Sequence, residues 1–308
     1  MSMANKTFMI MACAFFSMHG VAQKVEVARF LNDRPAALSF TFDDGTEDHY
    51  TVVFQTLKRF GLKGSFALIG SRVGGVTSGK YKNIPCMSWE QAREMAEHGQ
   101  EMTSHGYGHR NVEGLSEDDL RYEVQHNDTL IFEKTGVFPR TYIYPGNRKT
   151  DAAVSFCNRD RVCTRTYQIS MGGKRDVEWF DKYARELIDN GKWGVTMTHA
   201  IYYGYDHFND STMFFRIMDR ASSLRDSIWI APLRDVGAYV TERDSVKLSI
   251  KVKRGEVIIK PKLNLDRKIY NQPLTILVDG IPYNIDPYAR KIKIPVGNQK
   301  NSTSLVEN

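Results

Sequence analysis

Apolar and polar positions follow two different periods along the first part of this chain. "AALSFTF" (residues 36–42) is a continuous run of apolar and β-prone residues, which predicts a buried strand. "HYTVVFQTLKRFG" has apolar residues at helical spacing and ends on Gly61, which predicts a helix. "KGSFALIG" predicts the next strand, and "SWEQAREMAEHG" predicts a helix with Ser88 as N-cap and Gly99 at its end. The chain therefore begins with strand–helix units.

The same alternation continues to about residue 243. "LSEDDLRYEVQHNDTLIFEKTG" predicts a helix capped by Ser116, and "TYIYPGN" predicts a strand. A helix, a strand, and a final helix–strand–helix series follow in "EWFDKYARELIDNG", "KWGVTMTHAI", "STMFFRIMDRASSL" and "SIWIAPLRDVGAYVTERD". Repeated units of this kind predict an α/β fold with a mostly parallel sheet, and their order favours a closed or nearly closed (β/α) barrel over an open sheet.

The pattern changes from about Asp244 onwards. "VKLSIKVKRGEVIIKPKL", "PLTILVDG" and "RKIKIPVG" alternate at period two around glycine-containing turns, without a helical stretch. Such alternation is typical of a small antiparallel β domain. We therefore expect a barrel over residues 23–243 and a small β domain with a polar tail over residues 244–308.

The N-terminus has the pattern of a targeting segment. "NKTFMIMACAFFSMHGVAQ" places one lysine before a run of about a dozen apolar residues, which is too short to span a bilayer stably. Gly20 and Ala22 provide small residues at the −3 and −1 positions of a cleavage site after Ala22. These features predict a signal peptide (residues 1–22) and a secreted or periplasmic protein without a membrane span after its removal. A buried N-terminal helix is the alternative interpretation.

Composition and charge restrict the classes of partner. The 308 residues are 42% hydrophobic and 25% charged, which is sufficient for one large domain and one small one. The net charge of +6 is modest, and the basic residues are scattered except over residues 247–262, so we expect no nucleic-acid partner. Cys86, Cys157 and Cys163 remain after signal removal. Cys157 and Cys163 either form a disulfide in an oxidising compartment or lie buried as small apolar residues.

Polar side chains follow the ends of several predicted strands. Asp43, Asp44, His105, His109 and His199 all lie there, where barrels and open α/β proteins alike place their chemistry. Two adjacent carboxylates repel unless a cation neutralises one of them or one is protonated. Asp44 with the first two histidines supplies three ligands, the usual number for a catalytic divalent ion that keeps one position open. Taken separately, "DDG" is also typical of a turn, and single histidines are more often ordinary loop or packing residues.

Four motifs together resemble a known family. "TFDDG" (41–45), "SHGYGH" (104–109), "YPGN" (144–147) and "VTMTHA" (195–200) are similar in order and approximate spacing to the motifs of polysaccharide deacetylases with a NodB homology domain, carbohydrate esterase family 4. The resemblance extends over roughly residues 36–239. It implies a deformed (β/α) barrel with a zinc or similar divalent ion, which removes acetyl groups from sugars by hydrolysis.

The resemblance also implies roles for individual residues. By motif position, Asp44, His105 and His109 hold the metal, Asp43 is the general base and His199 is the general acid. The predicted function is metal-dependent hydrolysis of acetyl groups from a carbohydrate, with N-deacetylation of an acetylated amino-sugar glycan as the first interpretation. An O-acetyl esterase acting on acetylated xylan or another glycan is an alternative that would share these residues. A non-catalytic carbohydrate-binding protein on a decayed barrel is the alternative from another class.

Two motifs depart from the family's pattern. Many members carry an arginine just before the proline of the third motif, where it orients the base aspartate, and this chain has none there. Arg140, Arg148 and Arg165 are the candidates to replace it, and the sequence does not choose between them. Asp176 and Trp179 are candidates for the acidic residue and the tryptophan that seat the acid histidine.

Overall fold

A computed structural model describes residues 23–78, 83–210, 212–253 and 255–295. The predicted signal peptide, residues 1–22, lies outside these ranges. Within them, none of the helices is both long and apolar enough to pass through a membrane.

A curved parallel sheet forms the centre of the molecule. After β1 (Val25–Val27), its strands are β2 (Ala36–Phe42), β3 (Ser65–Leu68), β4 (Glu101–Ser104), β5 (Thr141–Ile143), β6 (Cys163–Arg165), β7 (Ile169–Ser170), β8 (Trp193–Thr198) and β9 (Ile228–Ile230). Their order is β6-β5-β4-β3-β2-β8-β7, and β9 pairs with the first half of β2. All these pairings are parallel. In the described residues β6 and β7 do not pair with each other, so the barrel is deformed rather than closed, and the predicted α/β fold class is confirmed.

The helices occur largely where the apolar periodicity predicts them. They are α1 (Gln55–Phe60), α2 (Trp89–Glu97), α3 (Glu117–Leu120), α4 (Asn127–Thr135), α5 (Asp151–Cys157), α6 (Val177–Asn190), α7 (Met213–Ser223) and α8 (Leu233–Ser245). π-Helical turns at His49–Phe54 and Arg121–His126 lead into α1 and α4. Ser88 and Ser116 are N-caps as predicted, and Gly61 ends α1 in the left-handed conformation. Helix α5 and the short strands β6 and β7 have no counterpart in the sequence prediction.

Strand β2 is the longest fully buried strand of the sheet. All of its 7 residues are buried, because helices cover the sheet and β3, β8 and β9 flank the strand. The Phe42 ring stacks on Phe66 with centroids 4.9 Å apart, and Phe40 stacks on Phe180 of α6. The two aspartates that follow this strand therefore leave a rigid core.

The C-terminal residues form two three-stranded antiparallel sheets. Their strands are β10 (Lys247–Lys253), β11 (Glu256–Lys262), β12 (Leu274–Val278), β13 (Ile281–Ile285) and β14 (Ile292–Pro295). One sheet has the order β10-β11-β14, and the other has the order β1-β12-β13, so the N-terminal strand completes it. Both sheets pack on Ala37 and Trp229, near the amino ends of barrel strands, and on Tyr239 of α8. The domain boundary at residues 243 and 244 stays a prediction.

The three cysteines in the part of the chain that the structure describes are unpaired. Cys86, Cys157 and Cys163 are all free, so the disulfide considered from the sequence is not formed in this structure. Burial raises the pKa of Cys86 to about 11 and the pKa values of Cys157 and Cys163 to about 12. Thiols with such values are poor nucleophiles and poor metal ligands at neutral pH.

The cap of α2 provides a test of the helix prediction. Ser88 Oγ accepts the Gln91 amide at 3.3 Å, while Gln91 Oε1 accepts the Ser88 amide at 2.8 Å. We expect Ser88→Ala to lower the free energy of unfolding by about 1 kcal/mol, measured by urea denaturation. Ser245→Ala, at the exposed end of α8, is the control and should leave the midpoint unchanged. Equal midpoints for the two variants would contradict the capping box.

Candidate metal centre

The sheet brings the five predicted site residues to its carboxyl end. Asp43 and Asp44 directly follow β2, His105 directly follows β4, and His199 directly follows the neighbouring strand β8. The Asp43 amide donates to the Thr198 carbonyl at 2.9 Å, which continues the β2–β8 pairing into the site. A cavity of about 360 Å³ opens there, and Asp44, His109 and His199 are among the residues that line it.

Asp44, His105 and His109 form a compact cluster of possible metal ligands. One ligand atom from each residue lies within 4.8 Å of the others. Asp44 Oδ1 is 3.5 Å from Nε2 of each histidine. This oxygen is buried and has no hydrogen-bond donor. Because an orphaned buried carboxylate oxygen is costly, its position between two imidazole nitrogens fits a bound cation.

Unusual backbone conformations bring these side chains together. Asp44 has φ +78° and His109 has φ +59°, both in the left-handed region that aspartate and histidine tolerate better than most residues. The "SHGYGH" loop also depends on Gly108, where an added Cβ would lie 2.9 Å from Glu123 Oε1. The buried Glu123 side chain accepts the Gly108 amide at 2.9 Å and so fixes the loop. The two histidines are therefore brought together by tight turns and not by a helix.

The protonation states of the cluster favour metal binding. His105 Nδ1 lies 2.8 Å from the Ile143 carbonyl oxygen, which can only accept, so Nδ1 carries the proton and Nε2 directs its lone pair into the site. Burial, together with the neighbouring His105, lowers the pKa of His109 to about 4. Burial raises the pKa of Asp44, but His105, His199 and His109 outweigh it and hold that pKa well below its usual range. Near neutral pH, His109 is neutral and Asp44 is ionised, as metal ligands must be.

Asp43 is neutralised by a buried arginine. Arg165, at the end of β6, donates to the two carboxylate oxygens of Asp43 at 2.8 and 2.6 Å. It also donates to Thr41 Oγ1 at 2.6 Å. Burial raises the pKa of Asp43, but Arg165 outweighs it, so this carboxyl stays ionised. Of the three arginine candidates, Arg165 is the one that reaches Asp43, whereas Arg140 and Arg148 make their contacts elsewhere.

His199 has an acidic partner that the sequence did not single out. Asp206 Oδ1 lies 3.1 Å from His199 Nδ1 and accepts the His199 amide at 3.2 Å. Ser170 Oγ donates to the other Asp206 oxygen at 3.0 Å. Burial lowers the pKa of His199, but Asp206 and the two aspartates after β2 outweigh it and raise that pKa to about 9. His199 is therefore a cation at neutral pH.

Asp176 and Trp179 do not take that role. Asp176 is the N-cap of α6 and accepts the Trp179 amide at 2.8 Å, while the Trp179 ring stacks on Tyr183 within the same helix. The expectation that these two residues seat His199 is wrong. Asp206 could have been considered because it follows His199 by seven residues in a loop rich in turn-forming residues, but spacing alone does not distinguish it from other loop acids.

A second pair of buried residues joins the loop after β2 to the loop after β8. Asp48 accepts the Ile201 amide at 2.5 Å and Thr46 Oγ1 at 2.6 Å. The ring of His49, which is fully buried, lies with Nε2 2.7 Å from the His199 carbonyl oxygen. These contacts hold His199 in a fixed position relative to the aspartates. The sequence analysis did not assign them a role.

Polar and aromatic residues complete the cavity wall. Arg72, from the turn after β3, lines the cavity and has no ion-pair partner among the described residues. Tyr205 lies edge-on to His199, with ring centroids 5.3 Å apart, and Tyr203 lines the same wall. The opening therefore combines hydrogen-bonding groups with aromatic faces, a combination suited to sugars.

Comparison with known proteins agrees with this arrangement. Residues 31–160 match the family model described as polysaccharide deacetylase. YxkH of Bacillus subtilis (strain 168), whose name places it among the polysaccharide deacetylases, is 32% identical over 91 residues. That alignment covers 30% of this chain and 30% of YxkH, so the chain matches less than a third of that relative's length.

A solved structure has the same fold. A protein from Mycobacterium smegmatis, also named as a polysaccharide deacetylase, superposes with a TM-score of 0.56 at 15% identity. The superposition covers 74% of this chain and 98% of that one. Residues 31–160, which match the family model, include Asp43, Asp44, His105 and His109. Residues 31–160 therefore resemble the polysaccharide deacetylase family, and the chain has a fold that a structure named for that family also has.

Proposed function

We propose that this protein hydrolyses N-acetyl groups on an amino-sugar glycan and depends on a divalent metal ion. The observation that carries the proposal is the cluster of Asp44, His105 and His109, with an ionised Asp43 and a protonated His199 beside it. Zinc is the expected ion, because two imidazoles and one carboxylate are a common catalytic zinc set. When bound, such an ion polarises a carbonyl group and lowers the pKa of a water molecule.

Asp43 has the properties of the general base. Its carboxylate is ionised and fixed by Arg165, so it can accept a proton from the water that attacks the acetyl carbonyl. Arg165 also prevents Asp43 from competing with Asp44 as a ligand, because both Asp43 oxygens already accept hydrogen bonds. The adjacent aspartates thus take separate roles.

His199 has the properties of the general acid. With a pKa of about 9 it carries a proton at neutral pH and can transfer it to the leaving nitrogen. An amine is a poor leaving group until it is protonated, so a histidine that stays protonated at neutral pH supports amide hydrolysis over ester hydrolysis. We further propose that the protein acts outside the cytoplasm, on the basis of the predicted signal peptide.

The proposed function is tested by metal analysis combined with acetate release. Residues 23–308 would be assayed with an N-acetylated chito-oligosaccharide and with acetylated xylan, before and after chelation. We expect about one ion per chain, and release from the first substrate that is lost on chelation and restored by zinc. Faster release from xylan would instead support the O-acetyl esterase, and absence of any bound ion would overturn the hydrolase.

Two variants distinguish the loss of metal binding from the loss of the general base. We expect Asp44→Ala to abolish both metal content and activity, because it removes the carboxylate that lies beside both histidines. We expect Asp43→Asn to keep the metal but to lower kcat by about 100-fold or more, since amide nitrogen and oxygen do not accept the proton. Metal content and kcat measured on the same samples give the comparison. Near-normal turnover of Asp43→Asn would contradict the base assignment.

Arg165→Gln tests the neutralisation of Asp43. Removing one partner of a buried ion pair costs about 3–5 kcal/mol of unfolding free energy. Without Arg165, burial raises the pKa of Asp43, so the base becomes protonated at higher pH and the acidic limb of the kcat/KM profile moves to higher pH. Arg148→Gln removes the same charge from an exposed position and serves as the control. An unmoved acidic limb would exclude Asp43 as the titrating base.

Asp206→Asn tests the role of His199 as the general acid. His199 must be protonated to act, so activity falls as the pH rises through its pKa of about 9. Because Asp206 raises that pKa, its replacement should move the basic limb of the kcat profile to lower pH. Asp210→Asn, on an exposed residue of the same loop, should leave the limb in place. Coincident profiles for the two variants would show that His199 does not set this limb.

A further inference from the structure

The outer face of the β10-β11-β14 sheet is covered with lysines. Opposite residues of an antiparallel pair point to the same side, so the register assigns the side chains to two faces. The six exposed lysines on one face, here called the lysine face, are Lys247, Lys251, Lys253, Lys260, Lys262 and Lys293. Its one acidic residue, Glu256, is paired with Lys293 at 3.1 Å.

The opposite face of this sheet packs against the rest of the protein. Val257, Ile259 and Ile294 are buried in the core shared with α8 and the barrel, and Leu248 packs against that core. The lysine face therefore points away from the barrel. Packing does not require lysine at these positions, and like charges a few ångströms apart repel one another.

We propose that the lysine face binds an acidic polysaccharide. Side chains on one face repeat at about 7 Å along a strand and at about 5 Å between strands, so an extended polymer with repeated carboxylates would meet several lysines at once. The face has no aromatic side chain on which a nucleic-acid base could stack. On this face Ile258 is the large apolar residue and it is half-buried, whereas the exposed Ile250 and Val252 of β10 lie on the opposite face, so the lysines and these apolar side chains would not meet a bilayer together.

The catalytic cavity has a matching feature. Arg72 lines it without an ion-pair partner among the described residues, so the wall offers a free cation beside the reacting group. A polymer that carries both acetyl groups and carboxylates would satisfy both sites. The choice of a polysaccharide as the polymer rests on the proposed function, whereas binding at the lysine face does not require hydrolysis.

The two sites lie at opposite ends of the barrel. The small sheets pack near the amino ends of β2 and β8, while the cavity lies at the carboxyl ends. The lysine face therefore cannot hold the unit that is being cleaved. It would retain a long chain near the enzyme and raise the local concentration of acetylated units.

The test compares two variants with equal net charge. Lys251→Gln/Lys260→Gln/Lys262→Gln removes three charges from the lysine face. Lys134→Gln/Lys174→Gln/Lys182→Gln removes three charges from exposed positions on the barrel. Binding of residues 23–308 to polygalacturonate would be measured by calorimetry at two salt concentrations, with dextran, duplex DNA and anionic phosphatidylglycerol vesicles as comparison ligands. Acetate release from a short neutral oligosaccharide would be measured on the same samples.

We expect the first variant to bind polygalacturonate about tenfold more weakly and with a smaller salt dependence, since each exposed charge contributes modestly. The barrel variant should bind as the unmodified protein does. Both should release acetate normally, so a failure of hydrolysis alone would count against the proposed function and not against this site. Equal weakening in both variants, or tighter binding of the unmodified protein to DNA or vesicles, would overturn the proposal.

Discussion

The repulsion between two neighbouring carboxylates is the constraint on which the site depends. Asp43 and Asp44 are consecutive residues at the end of the same buried strand, and the side chain of Asp43 is buried while that of Asp44 is only partly exposed to the cavity. The structure resolves the conflict by giving each a different partner: Arg165 for Asp43, and two imidazoles with room for a cation for Asp44. Asp44 also adopts the left-handed backbone conformation, with φ +78°. Charge neutralisation and backbone geometry together make the two identical residues chemically distinct.

Buried polar contacts, more than regular structure, hold the loops of the candidate site in place. Glu123 fixes the histidine loop, Asp48 and His49 fix the loop after β8, and Asp206 fixes the imidazole itself. Each of these groups is anchored to a backbone amide or carbonyl. Because a lost partner would leave a buried polar group unsatisfied, the loops are held in one arrangement before substrate arrives.

The sequence was most informative where local rules determine the outcome. Ser88 and Ser116 cap helices because their hydroxyls satisfy free amides, and the apolar run of β2 allows little except a buried strand. The grouping of Asp44, His105 and His109 could be anticipated because aspartate and histidine are themselves the residue types that bind divalent ions. Arg165 and Asp206 could not be selected in this way. Each acts through a contact between separate strands or loops, and many exposed arginines and aspartates have the same local sequence signals. Helix α5 and strand β6 were missed because they are short and their apolar pattern covers few residues.

The pairing of β1 with β12 has a consequence for the order in which the chain can fold. Val25 lies opposite Val278, so the first described strand completes its sheet only after nearly the whole chain is available. Closing so long a loop is slow and costs entropy that local contacts do not recover. The strand–helix units of the barrel can form from segments that are neighbours in sequence. The β1-β12-β13 sheet, by contrast, requires strands that are far apart in sequence. During synthesis from the N-terminus, β1 therefore stays without its partner strand until β12 has been made.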